Sequence, residues 1–366
     1  MPKPYRPATG TPIEELETPC LILDLDALEH NIGVIARLYQ DADCKVRPHV
    51  KNHKSPQIAH MQLRAGGTVG GVCAAKVSEA EVMVQAGIPN VLIANQVVGR
   101  DKLARLASLA LRAEMLVGCD DSQNASDLSA AAVAAGAEIG VLIEVNTSMG
   151  RAGTRVAGDA VTLAQHINNL PGLRFQGIMS HQIIDGAPDR EARFTKGRAD
   201  MQVVLDVKAA IERAGLPVET VSTGETWSYD VAPTVQGVTE VQAGSYVLLD
   251  TSYAYMTDFR IAAKVLGTVT SIPRPGFATG DVSIEAMASA KGLPTIEAPA
   301  GVRVTRLTYE QTFLEFDEGV TVKAGDRYTL LPAQEDMMVN RWDQYIVVRN
   351  GKVEDVWDIT ARGRVH

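Results

Sequence analysis

A short stretch of the chain, "CKVRPHVKNHKSP" at residues 44–56, concentrates lysine, arginine and histidine in a protein that is otherwise acidic and poor in histidine. A neutral lysine amine can add to an aldehyde, and cationic or desolvated surroundings lower the lysine pKa toward neutrality. Arg47 and the neighbouring bases would supply such surroundings. A lysine in this stretch would thus have surroundings suited to Schiff-base chemistry.

The composition favours small-molecule chemistry. The chain has 366 residues, a formal net charge of −9 and 46% hydrophobic residues, which is enough for about two domains. The acidic balance gives no general reason to bind nucleic acid or an anionic membrane. No apolar run approaches the roughly 20 residues that span a bilayer, and no signal peptide is recognisable. We expect a cytoplasmic protein whose scattered cysteines are reduced and buried.

The order of elements predicts a (β/α)8 barrel followed by an all-β domain. Short apolar runs alternate with Ala-rich helical patterns from Thr18 to about Asp250, and the second domain shows strands joined by Gly, Pro and Asn-Gly turns. We expect the barrel at residues 16–255 and the β domain at residues 256–366 together with 1–15. An open doubly wound sheet is the alternative, although no G-x-G-x-x-G follows the first strand. The eight candidate strands are "PCLILDL", "CKVRPHV", "TVGGVCAA", "NVLIANQ", "EMLVGCD", "IGVLIEV", "FQGIMS" and "VETVST".

Polar residues follow several of these strands, where the active site of such a barrel lies. The segments are "RPHVKNHK", "NTSMGRAGT", "SHQ", "STGET" and "QAGSYVLLD". The Gly-rich turns late in the barrel can offer backbone N–H groups to a phosphate. An early lysine, a late phosphate site, and an arginine and a histidine between them suggest pyridoxal phosphate held as a Schiff base.

Several motifs resemble those of the D-threonine aldolase and D-serine dehydratase family, which belongs to the alanine-racemase type (fold type III) of pyridoxal phosphate enzymes. They include "RPHVKNHK", "KVSEAEVMVQAGI", "NTSMGRAG", "QAGSYVLLD" and "ITARG". The resemblance implies a barrel with a C-terminal β domain, usually in a homodimer. It assigns the cofactor lysine to Lys51, a contact with the phenolic oxygen to Arg151 and a contact with the ring to His181. It places Gln242 beside the pyridine nitrogen and the phosphate contacts at Thr223, Gly224, Gly244, Ser245 and Tyr246.

The chain departs from the family pattern at a metal-binding pair. Members carry H-x-C or H-x-D in the C-terminal domain, whereas "PAQEDMMVNRWDQY" has Gln334 in place of the histidine and keeps Asp336. An amide oxygen is a weak ligand that suits hard ions, so the sequence leaves open whether a divalent metal such as Mg²⁺ or Mn²⁺ binds at Gln334 and Asp336. A second departure introduces Glu225, either as a substrate-side acid or base or as a helix N-terminal acid.

The resemblance implies a lyase that cleaves a D-configured β-hydroxy amino acid to glycine and an aldehyde. Three alternatives stay open: a dehydratase of the D-serine or 3-hydroxyaspartate type, an amino-acid racemase, and a non-catalytic pyridoxal-phosphate-binding protein. The second base is open as well, with His181 as the first candidate. His49 and His53 could contribute from the lysine loop or could simply pack it.

Overall fold

The computed structural model describes residues 5–366, and these form two compact units. The first, called here the barrel unit, contains residues 35–51, 56–244 and 364–366. The second, called the β unit, contains the described residues up to Val34, then 52–55 and 245–363. No helix among the described residues is both long enough and apolar enough to cross a membrane.

The barrel unit is built on eight parallel strands in the order β2-β9-β8-β7-β6-β5-β4-β3. The two end strands meet through the backbone, since Val46 N donates to Gly67 O at 2.9 Å and Val50 N donates to Cys73 O at 2.8 Å. The expected (β/α)8 barrel is therefore confirmed. The strands are β2 Lys45–Val46, β3 Val72–Ala74, β4 Asn90–Gln96, β5 Glu114–Cys119, β6 Ile139–Glu144, β7 Leu173–Met179, β8 Thr220–Ser222 and β9 Glu240–Val241.

Two helices of the barrel unit begin with an aspartate side-chain cap. Asp121 accepts a hydrogen bond from Asn124 N at the start of α5, and Gly136 ends that helix with a φ of 67°, as expected for a glycine C-cap. Asp189 caps α7 by accepting from Ala192 N. The helices are α2 Pro56–Ala65, α3 Val77–Gln85, α4 Arg100–Ala110, α5 Ser122–Ala135, α6 Ala157–Asn168 and α7 Arg190–Arg213. Helix α1, Leu25–Tyr39, begins in residues of the β unit and ends in the barrel unit.

The β unit is a mostly antiparallel sheet of β1 and β10 to β17. Strand β1 lies inside it, antiparallel to β10 and parallel to β16. The strands are β1 Cys20–Asp24, β10 Ala263–Arg274, β11 Phe277–Gly280, β12 Thr295–Ala298, β13 Val302–Leu307, β14 Thr312–Phe316, β15 Arg327–Leu331, β16 Gln344–Arg349 and β17 Lys352–Asp358, and the short helix α8 is Glu335–Val339. The expected all-β domain is thus present.

One detail of the predicted organisation was wrong. The run "PCLILDL" was expected to be the first barrel strand, but β1 belongs to the β unit, and the short β9 completes the barrel instead. An apolar run carries no information on which sheet it joins, and a two-residue strand leaves almost no pattern. The domain bounds 16–255 and 256–366 with 1–15 stay a prediction. In the compact units given above, residues 245–363 belong to the β unit and residues 364–366 belong to the barrel unit.

The four residues after Lys51 are held within the β unit. The Tyr345 hydroxyl donates to His53 O at 2.8 Å, and Ala361 N donates to Lys54 O at 3.0 Å. Asn52 is buried and donates from Nδ2 to Glu335 Oε1 at 2.5 Å. The second half of the lysine loop therefore has a fixed path.

A buried ion pair joins β2 and β9. Arg47 donates from Nε and Nη2 to the two carboxylate oxygens of Glu240, at 2.7 and 2.9 Å, and its Nη1 donates to Asn90 Oδ1. Both side chains of the pair are about 95% buried. Glu240 thus neutralises the charge of Arg47. Arg47 therefore does not supply the cationic surroundings that the sequence suggested for Lys51.

We expect Glu240→Ala to lower the free energy of unfolding by about 3–5 kcal/mol, because Arg47 would keep a buried charge without its partner. Denaturant unfolding measures this loss. Glu138→Ala is the matched control, because Glu138 pairs with Arg174 at 3.4 Å while both side chains are exposed to solvent, and it should cost about 1 kcal/mol or less. Equal losses in the two variants would show that the buried pair does not stabilise the closure.

Candidate active site

Lys51 follows β2 at the end of the barrel where active sites of this fold lie. The backbone leading to it is held on both sides, since His49 N donates to Ala243 O at 3.0 Å and Val50 N donates to Cys73 O at 2.8 Å. His49 also accepts from Lys51 N through its ring Nδ1, at 3.4 Å. His49 is buried, and these contacts favour its loop-packing role over a role as a base.

His181 follows β7 and lies in the electrostatic field of Lys51 and Arg151. Burial, together with those two cations, lowers the pKa of His181 from its usual 6.5 to about 3. Its imidazole is therefore neutral at neutral pH and can accept a proton. The structure brings Lys51, Arg151 and His181 together from three different strand ends.

Arg151 lies on the loop after β6 and is partnered by a carboxylate that was missed in the sequence. Glu144, the last residue of β6, is 97% buried in its side chain and accepts from Arg151 Nη2 at 3.4 Å. It also accepts from Gln96 Nε2 at 2.6 Å. The available signal was a carboxylate at the end of the apolar run "IGVLIEV". Glu144 limits the directions in which the Arg151 guanidinium can point.

The loop that carries Arg151 is tightly folded back on its strand. Thr154 N donates to Glu144 O at 2.9 Å, and Gly153 N donates to Asp120 Oδ2 at 2.7 Å. Gly153 has a φ of 97°, and a Cβ there would lie 2.6 Å from Asn146 N. Only glycine fits this turn, so the position of Arg151 depends on it.

The turn after β8 contains Thr223 and Gly224, which were expected to contact phosphate. Thr223 is fully buried: its N donates to Glu240 O at 2.9 Å, and its Oγ1 lies 2.6 Å from Ser180 Oγ and 2.8 Å from Gln182 Nε2. These contacts favour a supporting role for Thr223. Gly224, with a φ of 95°, has no room for a Cβ, which would lie 2.9 Å from Val241 Cγ2.

Glu225 caps the short 3-10 helix Thr226–Ser228. Its Oε1 accepts from Trp227 Nε1 at 3.0 Å, and its N donates to Ser228 Oγ at 3.1 Å, which forms a capping box. Of its two sequence-based interpretations, the helix N-terminal acid is the one that the geometry supports.

Gln242 is buried in the barrel and electrically neutral. Its Nε2 donates to Ser222 Oγ at 2.8 Å, and its Oε1 accepts from Cys73 Sγ at 3.6 Å. These partners fix the orientation of the amide. Two residues further on, Gly244 N donates to Thr226 Oγ1 at 3.3 Å. The Gln242 contact with the pyridine nitrogen and the Gly244 contact with phosphate stay predictions.

Ser245 and Tyr246, the remaining predicted phosphate contacts, belong to the β unit. Ser245 Oγ accepts from Asn52 Nδ2 at 3.0 Å. Tyr246 is buried, and its ring centroid lies 5.8 Å from that of Phe259. Their role toward phosphate is a prediction that these contacts leave open.

The β unit does not provide a histidine-containing metal site at Gln334 and Asp336. Gln334 precedes α8, and Asp336 Oδ1 is buried without a hydrogen-bond partner among the described residues. The intervening Glu335 is engaged by Asn52 and by Asp250, and burial raises the pKa of Glu335 well above its usual range. Within residues 5–366, no three His, Cys, Asp or Glu side chains are grouped so as to hold a metal ion. The donors do not fit a transition metal.

The barrel-unit residues do fit pyridoxal phosphate. Lys51 is half-buried beside a neutral His181 and a cationic Arg151. The residues predicted as the covalent lysine, the ring contact and the arginine for the phenolic oxygen thus belong to one unit.

Comparison with known proteins gives the same family along nearly the whole chain. The family model "Alanine racemase, N-terminal domain" matches residues 23–252, and the "Putative serine dehydratase domain" matches residues 262–348. The 3-hydroxy-D-aspartate aldolase of Paracoccus denitrificans (strain Pd 1222) is 36% identical over 97% of this chain and 94% of its own length. The D-threonine aldolase of an Arthrobacter species is 35% identical over 99% and 97%.

A solved structure agrees. The crystal structure of D-threonine aldolase from Filomicrobium marinum superposes with a TM-score of 0.94 at 38% identity, and the match covers 99% of this chain and 100% of that one. The chain belongs to the alanine-racemase-type family that contains these D-threonine and 3-hydroxy-D-aspartate aldolases.

Proposed function

We propose that the chain is a pyridoxal-phosphate-dependent lyase that cleaves a D-configured β-hydroxy amino acid into glycine and an aldehyde. Relatives named as D-threonine aldolase and 3-hydroxy-D-aspartate aldolase support this, because they match nearly end to end. The observation that carries the proposal is the neutral His181 beside Lys51 and Arg151.

Retro-aldol cleavage breaks the Cα–Cβ bond and moves one proton from the β-hydroxyl to Cα. The bound cofactor supplies the acceptor for the electrons of the broken bond. Lys51 would hold the cofactor, and Arg151, restrained by Glu144, would orient the cofactor's phenolic oxygen. His181 would take the β-hydroxyl proton, which needs an unprotonated base within reach. No step is assigned to a metal at Gln334 and Asp336.

The same histidine favours cleavage over dehydration. A dehydratase must expel the β-hydroxyl as water, so a group near that oxygen has to deliver a proton. His181, with its pKa lowered to about 3, is unprotonated at neutral pH and has no proton to deliver to a leaving hydroxyl. A homodimer and a cytoplasmic location stay predictions from the sequence, and light scattering of the purified protein tests the first.

The direct test is product analysis with D-threonine, D-3-hydroxyaspartate and D-serine. We expect glycine and the matching aldehyde from at least one of the first two compounds. We expect His181→Asn, which keeps a polar side chain but no basic nitrogen, to lower kcat by about 10²–10⁴-fold while retaining the cofactor. His60→Asn is the control, because His60 contacts Ala86 O on the outer helix layer at 2.9 Å.

Two results would contradict this assignment. An oxo acid and ammonia as products would make the protein a dehydratase. Full activity of the His181→Asn variant would show that His181 is not the base. In the wild type, kcat/KM should show no acidic limb near pH 6.5, the usual histidine value, because the pKa of His181 lies at about 3.

We expect Lys51→Ala to lose the cofactor absorbance band at the edge of the visible range, since no amine would remain to bind the aldehyde. The spectrum of the purified variant measures this directly. Lys208→Ala is the matched control, since Lys208 pairs with Glu212 on α7, and it should keep the band. A yellow Lys51→Ala protein would overturn the assignment of the covalent lysine.

Replacing Gln334 with histidine should create a transition-metal site. The imidazole would join Asp336, whose buried Oδ1 has no hydrogen-bond partner among residues 5–366. We expect Gln334→His to bind Mn²⁺ at least about tenfold more tightly than the wild type or Gln334→Ala. Titration with Mn²⁺ and metal analysis after dialysis measure this. Equally tight binding by the wild type would mean that its present donors already suffice.

A further inference from the structure

A cluster of hydroxyl groups on the β6–α6 loop holds the backbone around His181. Thr147 Oγ1 donates to His181 O at 3.1 Å. Ser148 Oγ accepts from Ile183 N at 3.1 Å. Two neighbouring hydroxyls of one loop thus engage the main chain of the next loop at His181 itself and two residues beyond it.

The direction of the Ser148 hydroxyl is set by a buried carboxylate on α7. Ser148 Oγ lies 2.9 Å from Asp200 Oδ2 and 3.4 Å from Ile183 O, and it has one proton to donate. The shorter, charge-assisted bond to Asp200 is the stronger of the two. The lone pairs of Ser148 Oγ then face Ile183 N, so the hydroxyl donates to α7 and accepts from the His181 loop.

Asp200 is itself firmly held. It is 92% buried, and Lys196, one turn earlier on α7, donates to the same Oδ2. A carboxylate can only accept, so Ser148 must be the donor in its bond to Asp200. The loop that bears Arg151 is in this way joined both to the His181 loop and to the long helix that follows it.

We propose that Thr147, Ser148 and Asp200 are positioning residues that fix the His181 loop relative to the loop carrying Arg151. This inference rests on the proposed function for the catalytic part, since His181 is there the proton acceptor. A small displacement of a base from its substrate can cost orders of magnitude in rate. None of the three side chains needs to touch the substrate for this effect.

The test compares Ser148→Ala with Ser148→Thr, which keeps the hydroxyl. We expect Ser148→Ala to lower kcat of glycine formation by about 10- to 100-fold with little change in KM, and Ser148→Thr to restore most of it. Thr147→Val should give a smaller loss of the same kind, because it removes only the bond to His181 O. Ser126→Ala is the matched control, since Ser126 Oγ bonds Ser122 O within α5 at 3.0 Å and lies 3.1 Å from His166 Nε2 on α6.

Amide hydrogen exchange gives a second reading that does not depend on activity. In Ser148→Ala, the Ile183 amide loses its acceptor, so exchange in the peptide spanning residues 181–184 should accelerate, while exchange in α5 stays unchanged. Hydrogen exchange thus tests the positioning role separately from the proposed aldolase activity. Faster exchange in a protein whose wild type forms no glycine would retain the positioning role and reject the aldolase. Unchanged exchange, or a loss of kcat no greater than that of Ser126→Ala, would overturn the inference.

Discussion

The main-chain hydrogen bonds that residues 46–50 make to neighbouring segments close the barrel, and the rest of the site depends on them. On one side the segment donates to Gly67 and Cys73, and on the other His49 N donates to Ala243 O. Because backbone groups that are buried must be paired, this segment cannot shift without leaving donors unsatisfied. Lys51 follows immediately, so the hydrogen bonds that close the barrel also fix the backbone from which its amine extends. The Arg47–Glu240 ion pair also holds β2 against β9.

The chemistry of the site then follows from unequal burial of its charged groups. Arg151 is exposed and keeps its charge beside the buried Glu144. His181 lies deeper and close to two cations, which makes its protonated form unfavourable. One fold thereby provides a fixed cation and a neutral base within the same barrel end. The neutrality of the base does not belong to the residue type alone, since an exposed histidine would titrate near neutral pH.

How much of this could be read from the sequence depends on whether the signal is local. Lys51, Arg151 and His181 could be singled out because each follows a strand, where this fold concentrates its chemistry. The sheet to which β1 belongs could not be predicted, since the run "CLILD" would suit either sheet. Glu225 had two readings that only its contacts with Trp227 and Ser228 could separate. The roles of Ser148 and Asp200 arise from a contact between residues that lie 52 positions apart in the chain. No local sequence pattern predicts such a contact.

The brief passage of residues 52–55 through the β unit has an evolutionary consequence. Asn52, His53 and Lys54 take hydrogen-bond partners from Glu335, Tyr345 and Ala361, all far along the chain. A gene rearrangement that exchanged the C-terminal segment for an unrelated one would remove these partners from the loop that bears the lysine. A descendant with a different C-terminal segment would need other donors and acceptors for the same three residues of the loop.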